Sequence, residues 1–96
     1  MSSGEQVRAD VTFRGTVQGV GFRYTARHLA SGFAVTGFVR NEPDGSVTLV
    51  AEGQRAEIEG LIAAVQREMA SYIRATDVAW GAATGQYDSF GVHFSW

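Results

Sequence analysis

Cysteine and lysine are absent from this chain of 96 residues, and proline and asparagine each occur once. Without cysteine there is no disulfide framework, no thiolate nucleophile and no zinc site built on sulfur. Without lysine there is no Schiff-base chemistry and no phosphate-binding loop of the lysine type; every basic side chain is arginine. His28 and His93 are too few and too far apart to suggest a metal pair. No apolar run approaches membrane-spanning length, and residues 1–10 lack the apolar stretch of a signal peptide, so a cytoplasmic location with no membrane partner is expected. A net charge of −2 weighs against a nucleic-acid footprint, which shows as a basic excess. It leaves room for a local positive site for one small anion.

What is present reads as one small domain with enough apolar residues for a sheet-and-helix core. Residues 1–6 are expected to form a flexible tail and residues 7–96 the domain. Residues 7–14 alternate apolar and polar, as a strand with one buried face does. Residues 22–31 have helical spacing through Phe22, Ala26 and Leu29, and Gly32 is placed to end the helix. A second strand is expected at 35–41, followed by Glu42-Pro43-Asp44-Gly45, a strong tight-turn signal, and a third strand at 46–52. Residues 55–70 form the clearest helix, with Ile58, Leu61, Ile62, Val65 and Met69 on one stripe. Weaker strands follow at 75–80 and 90–94, with a Gly-rich polar loop between them. The order fits an α+β split βαβ arrangement, βαββαβ, in which two helices cover one face of an antiparallel sheet and a last strand is added at an edge.

The chemistry concentrates at Gly15-Thr16-Val17-Gln18-Gly19-Val20-Gly21-Phe22-Arg23, where three glycines fall within seven residues between a strand and a helix. Such a turn aims backbone N–H groups and the positive end of a helix dipole at an anion. Arg23 adds a planar cation suited to phosphate or carboxylate. Two nucleotide motifs fail here. The lysine-type loop needs Gly-Lys-Ser/Thr where the chain has Gly21-Phe22-Arg23, and the dinucleotide fingerprint needs glycine where Tyr24 stands. Val17 and Arg23 do have the Cys-x5-Arg spacing of cysteine phosphatases, but with valine at the nucleophile position. Such a loop binds phosphate and cannot attack it, so an enzyme built on it must use water. Asn41 has the parity of Val35, Gly37 and Val39, and its strand end is expected beside the loop. A carboxamide accepts from a water while donating to an oxyanion, and needs no tuned pKa.

Together, residues 13–23 and the segment Gly37-Phe38-Val39-Arg40-Asn41-Glu42-Pro43-Asp44-Gly45-Ser46-Val47 resemble the two signatures of the acylphosphatase family. The resemblance spans nearly the whole chain and implies a ferredoxin-like fold. It departs at Phe38, where tryptophan is common, and in the loose fit of residues 85–96. By resemblance, Arg23 binds the phosphate and Asn41 positions the water. The backbone cradle falls on Thr16, Val17, Gln18, Gly19, Val20, Gly21 and Phe22. The implied reaction is hydrolysis of an acyl phosphate to a carboxylate and inorganic phosphate, by a monomer with no cofactor and no metal. The competing readings are a non-catalytic acylphosphatase-like module that binds an anion or a protein, and an RNA-binding domain with aromatics on an open sheet face. Arg14 and Arg40 are expected as solvated strand residues, and Trp80, Tyr87 and Trp96 as edge packing.

Overall fold

The computed structural model describes residues 5–94; residues 1–4 of the expected tail, and Trp96, lie outside the described residues. The chain runs β1 (Val7–Gly15), α1 (Phe22–Ala30), β2 (Val35–Asn41), β3 (Val47–Gly53), α2 (Arg55–Glu68), β4 (Ile73–Ala82) and β5 (Phe90–His93). Every expected element is present, with shifts at the ends. The helix expected to reach residue 31 stops at Ala30, where Ser31 and Gly32 donate back to His28 and Leu29 in a tightened last turn. The helix expected to reach residue 70 stops at Glu68. β4 is longer than expected because both of its added ends pair with β1, Ile73 with Gly15 and Ala82 with Val7. Its alternation is weak because it is an edge strand, partly covered only at Ile73, Thr76 and Trp80.

The sheet order is β4-β1-β3-β2-β5. β1 pairs antiparallel with β3 and β4, and β2 with β3. The last ladder, β2 with β5, is parallel. That follows from the route: the chain leaves β4 at one edge, reverses, and re-enters at the opposite edge.

One face of the sheet carries Ala9, Val11 and Phe13 from β1, Val39 from β2, and Val47, Leu49 and Ala51 from β3. Phe22, Ala26 and Ala30 of α1 and Ile58, Leu61, Ile62 and Val65 of α2 close over it. The Phe13 and Phe22 rings meet at 5.1 Å between centroids, which ties the end of β1 to the start of α1. Full burial of each such side chain is worth about 1.5–3 kcal/mol relative to exposure. No helix among the described residues is long and apolar enough to cross a membrane.

The second face is covered by chain rather than by helices. Phe38, Val50 and Glu52 lie on it and are buried, Glu52 to 2% exposure. The segment joining β4 to β5 crosses above them. Thr84 donates its N–H and hydroxyl to the Glu52 carboxylate at 3.0 and 2.7 Å, and Gly85 donates its N–H at 2.9 Å. Arg8 reaches Glu52 at 3.4 Å and the Tyr87 hydroxyl at 3.3 Å, while the Tyr87 ring lies 5.7 Å from that of Phe38. Burial pushes the Glu52 carboxyl up, but the donors from Thr84, Gly85 and Arg8 outweigh it and hold it below the usual carboxylate range. The Phe38 ring is therefore not a bare platform on which bases can stack.

Candidate functional site

Gly15 ends β1 with φ +133, and a Cβ there would overlap the carbonyl oxygen of Tyr72. The missing side chain lets Thr16 N–H donate to that carbonyl at 2.9 Å, fixing the direction in which the loop departs. Val17 then turns inward and is fully buried, pinning the loop to the core from below. The position that a cysteine nucleophile would need is thus a packing residue. Gly19 and Gly21 have φ of +76 and +77 with open space around them, so glycine is required there for conformation and not for room. Gly21 is also the N-cap of α1, and its carbonyl accepts from Thr25 N–H at 3.0 Å.

The result is an exposed turn of donors. Among the described residues, no backbone N–H from Gln18 to Tyr24 finds a backbone acceptor, and the first turn of α1 holds no acidic residue. Free N–H groups at a helix start favour an anion there.

Arg23, the second residue of α1, is half-buried and has no carboxylate within ion-pair distance among the described residues. Its Nη1 lies 3.5 Å from the carbonyl oxygen of His93, and the Phe94 ring sits 4.8 Å from its Cζ. The end of β5 therefore braces the guanidinium with a dipole and an aromatic face, and among the described residues no carboxylate neutralises its charge. Arg14 is exposed as expected and Arg40 is partly exposed, and both also face carboxylates. Arg14 approaches Asp44 and Asp77 at 3.6 and 3.5 Å, and Arg40 pairs with Glu42 at 2.9 Å and lies over the Phe38 ring. His93 stacks its imidazole on Phe38 with centroids 4.4 Å apart, on the face away from the helices.

Asn41 is the last residue of β2 and pairs with Val47, which in turn pairs with Phe13 on β1. Its strand end is thus two strands, about 10 Å, from the point where β1 enters the loop. It has the parity of the buried Val39, so it belongs to the same side of the sheet as α1. The turn after it is closed by Glu42 N–H to the Ser46 carbonyl at 2.9 Å and Gly45 N–H to the Glu42 carbonyl at 3.1 Å. Asp44 accepts the Ser46 hydroxyl and N–H at 2.6 and 2.9 Å, and these two bonds lower its pKa.

Loop and turn are joined by a contact that no spacing in the sequence announces. The Gln18 carboxamide donates to the Glu42 carbonyl at 2.7 Å and to the Ser46 carbonyl at 2.9 Å. Sequence reasoning placed Gln18 in the loop for its backbone alone. The bracing of Arg23 by His93 and Phe94 was likewise not foreseen, because it depends on where the weakest strand docks.

The fold agrees with what the chain resembles among known proteins. The family model for acylphosphatase matches residues 9–92. An acylphosphatase of Salinibacter ruber is 42% identical over 93 residues, covering 96% of this chain and 98% of that one. The crystal structure of acylphosphatase from Bacillus subtilis superposes with a TM-score of 0.82 at 25% identity, covering 92% of this chain and 99% of that chain. An acylphosphatase structure from Coxiella burnetii gives 0.73 at 30% identity, covering 97% of this chain and all of that one (100%). The chain belongs to the acylphosphatase family.

Proposed function

We propose that this enzyme hydrolyses acyl phosphates by direct attack of water on phosphorus. The phosphoryl oxygens are held by the backbone from Thr16 to Phe22 and by Arg23, and the water is positioned by Asn41. Supporting this reading above all is the row Phe13–Val47–Asn41, which sets the carboxamide strand end beside the loop that starts α1.

The chemistry suits the few groups available. A new bond forms from the water oxygen to phosphorus as the bond from phosphorus to the acyl oxygen breaks, and the electron pair leaves with the carboxylate. That leaving group is stable at neutral pH, so no strong general acid is required. The water's proton passes to a phosphoryl oxygen of the substrate, consistent with the His93 ring facing the other side of the sheet. Catalysis then rests on alignment and on positive charge and donors around the phosphoryl oxygens. Every group invoked belongs to one chain, so a monomer acting without a cofactor suffices.

Hydrolysis of an aromatic acyl phosphate in water labelled with ¹⁸O tests this. The first turnover should place the label in inorganic phosphate and none in the carboxylate. Label in the carboxylate would mean attack at the carbonyl carbon, and the reading would be lost.

A further inference from the structure

Gln18 makes an unusual pair of bonds for a loop side chain. Both acceptors are main-chain carbonyls, and both lie far along the sequence, at Glu42 and Ser46. Each of those carbonyls already accepts one hydrogen within the turn, from Gly45 and Glu42 respectively. A carbonyl oxygen has two lone pairs, so Gln18 supplies the second partner to both. Glu42 follows Asn41 directly, and Ser46 immediately precedes Val47, the cross-strand partner of Asn41. The carboxamide therefore grips both arms of the turn, one residue beyond the rung that carries Asn41. Its own backbone lies in the loop, between the buried Val17 and the exposed Gly19.

We infer that Gln18 is a positioning residue that sets the separation between the phosphate-holding loop and Asn41. The inference rests on the proposed role of Asn41 as the group that places the water. Sheet pairing fixes Asn41 relative to Phe13 but ends before the loop begins, so the loop's height over Asn41 needs a tie of its own. A misplacement of about 1 Å between attacking water and phosphorus is enough to cost on the order of 10²-fold in rate. Binding of the phosphoryl group is a separate matter, since the loop N–H groups and Arg23 remain in either case.

The test is a double-mutant cycle with Gln18→Met, which keeps the length of the side chain and removes both donors. On an aromatic acyl phosphate, Gln18→Met should lower kcat by about 10- to 100-fold, with KM and inhibition by inorganic phosphate changed less than about threefold. In an Asn41→Ala background the same substitution should change kcat by less than about twofold, because the group that it aligns is gone. A purely structural role would lower kcat by the same factor in both backgrounds, and that would overturn the inference, as would full turnover by Gln18→Met alone. Normal turnover by Asn41→Ala alone would instead remove the water-positioning reading beneath it. Should Gln18→Met fail to fold, Gln18→Asn carries the same cycle, since its donors stop one methylene short of the carbonyls. The same pattern of fold-changes is expected of it, and equal losses in both backgrounds would again overturn the inference.

Discussion

Arg23 holds a charge that its surroundings orient without cancelling: a carbonyl oxygen at 3.5 Å and an aromatic ring at 4.8 Å, with no carboxylate partner among the described residues. Arg14 and Arg40, close by in sequence to the loop and to Asn41, are both paired with acids. Of these three, Arg23 is the one whose charge is left for the proposed dianion. Phe94 is 69% exposed, so its contact with the guanidinium is of the weak surface kind, worth about 0.5–1 kcal/mol. Phe94→Ala should accordingly weaken inorganic phosphate binding about two- to fivefold and leave kcat within about twofold, as steady-state inhibition by phosphate will read. A loss confined to kcat would show that the ring serves the chemical step and not the placement of the cation.

Among the elements, the segment crossing from β4 to β5 decides how the edge strand, and with it the brace on Arg23, is held. Its anchor is Glu52, a buried carboxylate satisfied by Thr84, Gly85 and Arg8. Because its folded pKa is lowered, Glu52 binds protons more readily in the unfolded chain. Its contribution to stability is complete above the ordinary carboxylate pKa and is lost as pH falls through the lowered folded value. Glu52→Gln should therefore cost about 1–3 kcal/mol in urea unfolding at pH 7. The gap between mutant and wild type should narrow in the acid range, below about pH 4. A gap that stayed constant from pH 7 to pH 3 would rule out the charged form as the anchor.

The elements also differ in how much of them the sequence disclosed. β1 and both helices were legible because each buries one face, which leaves a period in the residues. β2 and β3, buried on both faces at Phe38, Val39, Leu49 and Val50, were legible instead from their apolar content and the turn between them. β4 was underestimated because an edge strand with little covering, at Ile73, Thr76 and Trp80, leaves almost no period. The loop, Arg23 and Asn41 were visible as residue types in order, and Pro43 and Gly45 marked the turn between β2 and β3. Contacts made side chain to distant backbone were not visible at all. Gln18 to Glu42 and Ser46, and Arg23 to His93, depend on the docking of strands and not on local spacing. The Glu52 anchor was hidden for a related reason: a glutamate in an alternating strand reads as solvent-facing until a loop is found above it.

For the molecule as a whole, the proposed phosphate site, drawn from a loop, a helix start and a strand end, would exist only when the fold is complete. Inorganic phosphate should therefore stabilise the native state, by about 1.4 kcal/mol at ten times its Kd. For a domain of this size that raises Tm by about 6–10 °C. Arg23→Gln should abolish most of this shift, and Asn41→Ala should keep it, since only the first is assigned to holding phosphate. Equal loss of the shift in both would mean that Asn41 also binds.

The proposed division of labour between holding phosphate and aligning water is tested most directly by Asn41→Ala. Its kcat on an aromatic acyl phosphate is to be measured beside its affinity for inorganic phosphate. The expected result is a loss of kcat on the order of 10²–10³-fold, as for removal of one positioned transition-state donor, with phosphate affinity unchanged. Turnover at the wild-type rate would contradict it.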